Sequence, residues 1–174
     1  METLEVIAKR KSTRAYKPEQ ISEEALSAIL KAACAAPVAR AQYESLLITV
    51  VQNDDLLTRL FNEASALFLR IAGIEKNMNF GAKTLIVVST TVSAQPEMSY
   101  ANVGIVIENM TLAATDLGID SVIMGAPTFA MAQNEVLKKE LKIPEGFKPA
   151  LALALGYGTD DEPPKHHDIK IERV

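Results

Sequence analysis

The segment RKSTRAY, residues 10–16, places three cationic side chains and two aliphatic hydroxyls within seven positions. It follows a short amphipathic stretch in which Leu4 and Ile7 are spaced for one face of a helix. Cations at a helix end complement the negative end of its dipole, and that role alone could account for them. Guanidinium groups beside hydroxyls in a turn also suit a phosphate monoester. On local grounds the segment is either a charged helix end or an anion site.

Apolar periodicity beyond this segment predicts further helices and strands. Ser22 is a suitable N-cap for a helix that should stop near Ala35, because Pro37 prevents its continuation. The first helix is predicted to end at residues 9–11. The later ones cover residues 54–72, a long helix capped by Ser99 that reaches 117, and residues 131–141. The predicted strands cover residues 45–51, 84–90, 121–124 and 148–155. Helices followed by mixed strands and helices favour an α+β fold.

Length and composition predict a single domain over residues 1–174. A chain of 174 residues with 48% hydrophobic content can build one substantial core. Residues from about 157 to 174 are polar and rich in proline, which predicts an arm that lies across a surface of this subunit or of a partner.

The charge and the cysteine count narrow the possible partners and compartment. A net charge of −4 opposes binding to nucleic acid or to anionic membranes, and apolar runs such as residues 150–155 are too short to span a bilayer. Cys34 is the only cysteine, so no internal disulfide can form, and a reducing cytoplasm is expected. Its place among alanines predicts a packed, inert thiol.

Common nucleotide, nucleophile and metal motifs are absent from the sequence. There is no GxxxxGK[ST], GxSxG or HExxH pattern. Residues 156–158, GYG, lack the third glycine of a dinucleotide fingerprint and are interpreted as a turn after the last strand. His166 and His167 are adjacent, so their side chains diverge, and no metal site is expected.

The pattern R-x-S-T-R-A-Y, after a short helix and before a proline and a second capped helix, resembles the N-terminal signature of the FMN-dependent nitroreductase family. Further features of that family recur in order along the chain. They are Ala36-Pro37 at the end of the second helix, residues 117–121 (LGIDS) leading to Met124-Gly125, and a final apolar strand ending in Gly156-Tyr157.

The resemblance implies a nitroreductase-like three-layer fold with a mixed, mainly antiparallel sheet flanked by helices. It also implies an intertwined homodimer with FMN at the interface. The residues implied at the FMN phosphate and ribityl chain are Arg10, Lys11, Ser12 and Arg14, with Lys165 and His167 of the arm adding basic contacts. Those implied at the flavin ring are Pro37, Val38 and Ala39 from the other subunit, and Met124 and Gly125 through backbone N–H groups near flavin N5 and O4.

The loop after Pro37 departs from the family pattern. Relatives often continue with S-x-x-N-x-Q-P-W, whereas residues 38–45 read VARAQYES and lack the Ser, Asn and Trp. This difference bears on the polar contacts of the loop and on the range of substrates. Either Arg14 or Arg40 could supply a cation at the pyrimidine edge of the flavin.

The resemblance implies an FMN-dependent oxidoreductase. Hydride would pass from NADH or NADPH through flavin N5 to a nitroaromatic, a quinone or a similar flat small-molecule acceptor. Because the flavin carries the chemistry, no side chain is assigned as catalytic. Two alternatives stay open: a flavin-binding sensor or carrier without turnover, motivated by residues 38–45, and a structural dimer whose cations at 10, 11 and 14 are only solvated.

Overall fold

The structure is a computed structural model, and it describes residues 1–91, 96–159, 163–164 and 167–174. A four-stranded sheet forms its middle layer. The strands are β1 (Leu46–Val51), β2 (Thr84–Thr91), β3 (Asp120–Met124) and β4 (Phe147–Gly156), in the order β1-β2-β4-β3. This arrangement, with the helices around it, confirms the α+β prediction.

The expected mixed sheet is wrong for these four strands, because each pairing between them is antiparallel. After β1 and the next helix, residues 73–83 return the chain to the end of β1. Leu85 therefore pairs with Val51, and β2 runs back along β1. Within the described residues, parallel pairing is confined to an isolated bridge between Ser12 and Ser121.

Six helices flank the sheet in the described part of the chain. They are α1 (Thr3–Lys9), α2 (Glu23–Cys34), α3 (Asp54–Ala72), α4 (Pro96–Asp116), α5 (Ala126–Ala132) and α6 (Glu135–Glu140). The Ser22 side chain accepts from Ala25 N–H at the start of α2, as predicted. Helix α3 has the predicted bounds and ends at Gly73, whose φ of 65° gives the left-handed cap that glycine favours.

Two apolar clusters, one on each face of the sheet, make the molecule three-layered. One lies between the sheet and α3, α5 and α6, where Phe61 and Met131 are almost fully buried. The other lies between the sheet and α2 and α4, where Ile29 and Met110 are fully buried. Strand β2 is buried over residues 84–90 because helices cover both of its faces.

The structure corrects two predicted helices. Helix α4 already begins at Pro96, so Ser99 lies inside it rather than at its cap. The helix predicted over residues 131–141 is two helices, α5 and α6. The Asn134 side chain accepts from Val136 N–H and Leu137 N–H, and thereby caps a new helix where the apolar period alone suggested continuity.

Cys34 is exposed, so the prediction of a packed thiol is wrong. It is the last residue of α2, and the neighbouring Ala33 takes the buried position against the α4 side of the sheet. Searching the described residues for a helix both long enough and apolar enough to cross a membrane gives none.

Candidate functional site

The segment 10–16 leaves α1 and runs in an extended course beside the start of β3. Thr13 N–H donates to the Ser121 carbonyl at 3.0 Å, and Ser12 forms the parallel bridge with Ser121. At an ordinary solvated helix end, such backbone groups are left to water. Here the backbone that carries the cations is fixed to the sheet.

The other end of the segment pairs with the chain that follows β4. Tyr16 forms an antiparallel bridge with Gly158, and Lys17 N–H donates to the Tyr157 carbonyl at 2.8 Å. The interpretation of residues 156–158 as a turn is therefore wrong. Gly156 is the last residue of β4, and Gly158 continues as paired backbone.

Four polar side chains of the segment are at least partly accessible, whereas that of Thr13 is buried. Ser12 and Arg14 are exposed, and Arg10 and Lys11 are half-buried. Arg14 Nη1 donates to the Ser12 carbonyl at 3.3 Å, and Arg10 Nε lies 4.0 Å from Glu108 Oε1. The four residues predicted for a phosphate thus occupy one short stretch of fixed backbone.

A carboxylate that sequence reasoning left without a role fastens this stretch. Thr13, which is fully buried, donates its hydroxyl to Asp120 Oδ1 at 3.2 Å, and Gly158 N–H donates to Asp120 Oδ2 at 2.9 Å. A Cβ on Gly158 would lie 2.5 Å from Asp120 Oδ2, so a side chain there would displace the carboxylate. Two features of the sequence could have indicated these contacts: an aspartate at the start of a short strand, and the second glycine of the GYG in residues 156–158.

Strand β3 connects this stretch to the second predicted part of the site. Ser121 and Met124 are three residues apart, which separates their backbones by about 10 Å along an extended strand. Met124 is buried, and Gly125 follows it as the half-buried residue before α5. Phe129 exposes 65% of its surface, and its ring lies 3.7 Å from where a Cβ on Gly125 would sit. An aromatic side chain is thus exposed beside the predicted ring end.

The loop of residues 37–45 is held against α4. Ala39 N–H donates to Asn102 Oδ1 at 3.0 Å, and Asn102 is itself buried. The Val38 side chain is buried in the α2 and α4 cluster, whereas Pro37 is exposed. Any flavin contact by Val38 must therefore come from its backbone. The sequence did not single out Asn102, because only the fold brings it to this loop.

Helix α4 carries the contacts of both the loop and the cation segment. Asn102 bonds the loop, and Glu108 approaches Arg10 six residues later, which is about 9 Å along a helix axis. Within one subunit, α4 thus sets the distance between the loop and the cation segment.

Two of the predicted site residues lie in the arm. Lys165 lies outside the described residues, so its contact with a phosphate stays a prediction. His167 is exposed, and it forms neither a hydrogen bond nor an ion pair with another described residue. No three His, Cys, Asp or Glu side chains in the described ranges come together as a metal site would require.

Comparisons with known proteins agree with this arrangement. A family model described as the nitroreductase family matches residues 7–157, which include every element from the end of α1 to the end of β4. A protein of Archaeoglobus fulgidus named as an NADH dehydrogenase/NAD(P)H nitroreductase is 31% identical over 162 residues. That match covers 92% of this chain and 88% of the relative.

Two solved structures of nitroreductases with bound FMN are also similar. The one from Desulfitobacterium hafniense is 33% identical with a TM-score of 0.88, and the match covers 100% of this chain and 98% of that one. The one from Bacteroides fragilis is 31% identical with a TM-score of 0.84, covering 100% and 99% of the two chains. The resemblance first seen in residues 10–16 is confirmed, and the chain belongs to the nitroreductase family.

Proposed function

We propose that this protein is an FMN-dependent oxidoreductase. It would transfer hydride from NADH or NADPH to a nitroaromatic, a quinone or a similar flat acceptor. The observation that carries the proposal is the cation segment, which is fixed by backbone pairing to the start of β3, the strand that ends at Met124 directly before Gly125. The FMN bound in the two similar solved structures and the name of the A. fulgidus relative support it.

The phosphate end fits the group it would hold. A phosphate monoester needs cations and hydroxyls that are accessible and not already neutralised. Arg14 forms no ion pair within the described residues, and the contact of Arg10 with Glu108 is as long as 4.0 Å. We assign the phosphate and ribityl contacts to Arg10, Ser12 and Arg14, with Lys11 adding charge.

The ring end supplies position and polarisation rather than acid–base chemistry. When bound, FMN accepts and donates hydride at N5. The backbone N–H groups of Met124 and Gly125 would orient the ring and donate hydrogen bonds near N5 and O4. Because these donors are backbone groups at the end of a paired strand, they are held in place without reorganisation.

We also propose that the active form is an intertwined homodimer. Leu4 and Ile7 on α1 expose 79% and 50% of their surfaces, and Tyr100 on α4 exposes 50%. A second copy would cover these apolar groups, and residues 37–39 of one subunit would reach the flavin of the other. Lys165 and His167 belong to the arm that would lie on the partner. The lone exposed thiol of Cys34 suits the reducing cytoplasm that we propose as its compartment.

The spectrum of the purified protein tests the proposed function. We expect a yellow protein that retains FMN, with a flavin band that bleaches anaerobically on addition of NADH or NADPH. A colourless protein that cannot be reconstituted with FMN would contradict the proposal.

Substitution of Arg10 tests the phosphate assignment directly. Arg10→Ala should raise the Kd for FMN by about tenfold to a hundredfold, the range of one hydrogen bond to a charged group. Lys9→Ala is the matched control, because Lys9 is an exposed cation in the last turn of the same helix. Equal and small effects of the two substitutions would return the cluster to the role of a charged helix end.

A flavin-binding sensor or carrier without turnover is the second candidate. The altered loop favours it, since residues 38–45 lack the Ser, Asn and Trp of the family pattern and Arg40 and Ala41 hold positive φ angles of 57° and 53°. Flavin that binds stoichiometrically but stays oxidised with both NADH and NADPH would support this alternative.

A further inference from the structure

Arg40 stands on a backbone that is both unusual and fixed. It and Ala41 lie in the left-handed region, which residues other than glycine rarely adopt. Ala41 N–H donates to the Val38 carbonyl at 3.1 Å, and Ala39 N–H donates to buried Asn102 at 3.0 Å. The loop therefore holds the Arg40 backbone from both sides, and such strain persists only where the surroundings enforce it.

The guanidinium of Arg40 is exposed and makes no ion pair or hydrogen bond with any residue that the structure describes. The chain contains 22 acidic residues against 18 Lys and Arg, so carboxylates are abundant on its surface. A guanidinium that stands on a fixed backbone and has no ion pair among the described residues remains available to an external anion.

We propose that Arg40 selects acceptors that carry a carboxylate or a similar anionic group on a flat ring. The inference rests on the proposed function, which brings residues 37–39 to the flavin ring. Arg40 directly follows Ala39, and consecutive Cα atoms are about 3.8 Å apart, so its long side chain begins at the edge of the acceptor site. A guanidinium fork binds a carboxylate through two parallel hydrogen bonds, whereas a neutral amide in the same position cannot form that pair.

Ligand binding to the FMN-loaded protein provides the first test. Benzoate and benzamide have similar shapes and differ in charge, and their binding can be followed through the absorption of the oxidised flavin. We expect the wild type to bind benzoate about tenfold more tightly than benzamide, the effect of one charge-assisted contact. Arg40→Gln should abolish this preference, and Arg40→Lys should retain part of it.

Lys142→Gln is the matched control for this experiment. Lys142 is also an exposed cation with a positive φ, of 55°, but it lies beyond α6 and outside the proposed site. The control removes the same charge and should keep the preference for benzoate. Equal binding of the two ligands by the wild type, or a preference that survives in Arg40→Gln, would overturn the inference.

The rates of acceptor reduction distinguish two roles for Arg40, which could bind the acceptor or could act on the flavin. Arg40→Gln should lower kcat/KM about tenfold for 4-nitrobenzoate and much less for 4-nitrobenzamide. Equal losses for the two acceptors would overturn the inference and assign the cation to the flavin itself. A protein that takes up no FMN would defeat the proposed function as well, whereas normal FMN uptake without charge preference defeats only the role of Arg40.

Discussion

Asp120 shows how much the site depends on single residues. Its two oxygens accept from Thr13 and Gly158, which lie 107 and 38 positions away along the chain. No local pattern could predict this, because the partners meet only after β3 and β4 have paired. By contrast, the cations of residues 10–16 could be identified from sequence, because their chemistry is concentrated in one stretch.

At this scale we predict that Gly158→Ala destabilises the protein by about 1–3 kcal/mol, the range for forced overpacking. The added Cβ would lie 2.5 Å from Asp120 Oδ2 and 3.0 Å from Thr13 Cγ2, so the carboxylate must move. The same substitution should weaken FMN binding. Urea denaturation and FMN titration measure the two effects.

The control for this prediction is Gly104→Ala in α4. A Cβ there meets nothing within 4 Å in the subunit, and alanine is favoured over glycine inside a helix by about 0.5–1 kcal/mol. If both substitutions destabilised the protein equally, the close approach at Gly158 would not be the cause.

Among the elements, helices α2 and α3 could be predicted close to their ends, whereas the break between α5 and α6 could not. Helices α2 and α3 have Ser22, Asn53 and Gly73 at their ends, and these caps work through neighbours in the sequence. Helices α5 and α6 were predicted as one helix, because apolar spacing continues across the break that Asn134 creates. The sequence shows that the loop of residues 37–45 is divergent. Its hydrogen bond to Asn102 on α4 could not be predicted, because only the fold brings the two together.

The hydrogen bond between Ala39 N–H and the Asn102 side chain gives a prediction. Asn102→Ala removes the acceptor of Ala39 N–H and should cost about 1–2 kcal/mol of stability. Because the loop loses its fixed point, amide hydrogen exchange should accelerate at residues 38–43. Asn62→Ala, an exposed position on α3, is the control and should leave exchange in the loop unchanged. Unaltered exchange in the Asn102 variant would show that other contacts hold the loop.

The pairing of α3 with α6 gives a prediction about pH. The Arg59 guanidinium, which contacts both oxygens of Glu140, holds the pKa of that carboxyl below its ordinary value of 4.5. A lowered pKa in the folded state means that the pair contributes stability above the ordinary value and loses it as pH falls through the lowered one. Arg59→Gln should return the pKa of Glu140 toward 4.5, as measured by NMR titration. No change in that pKa would mean that the pair does not persist in solution.

For the whole molecule, the net charge can be read from the sequence, whereas the pairing of the strands emerges only from the fold. The net charge of −4 follows from composition, and it makes a concentrated patch of cations conspicuous. The antiparallel pairing of the sheet depends instead on where residues 73–83 return the chain. The sequence also could not predict that Leu4 and Ile7 on α1 are exposed, because their spacing is that of residues that pack against a core.

We predict that Ile7→Glu separates the proposed dimer. A charge placed on apolar surface that a partner covers would have to be desolvated in the dimer. Light scattering should therefore show a mass near 18.9 kDa rather than twice that value, with loss of bound FMN. Ile71→Glu on α3 is the control, because Ile71 exposes 72% of its surface on the opposite side of the sheet. If the two variants had the same mass as the wild type, α1 would lie outside any dimer interface.

Strand β3 has a further consequence for the proposed site. Because each of its residues is registered against β4, the strand cannot gain or lose one residue without turning its side chains to the opposite faces. The distance between Ser121, which holds the cation segment, and Met124 is therefore fixed, and it sets the length of cofactor that the proposed site could hold. The loop of residues 37–45 lies outside this strand, so its sequence is not constrained by the pairing of β3 with β4. We expect substitutions there to change the proposed choice of acceptor without altering the length of cofactor that the strand sets.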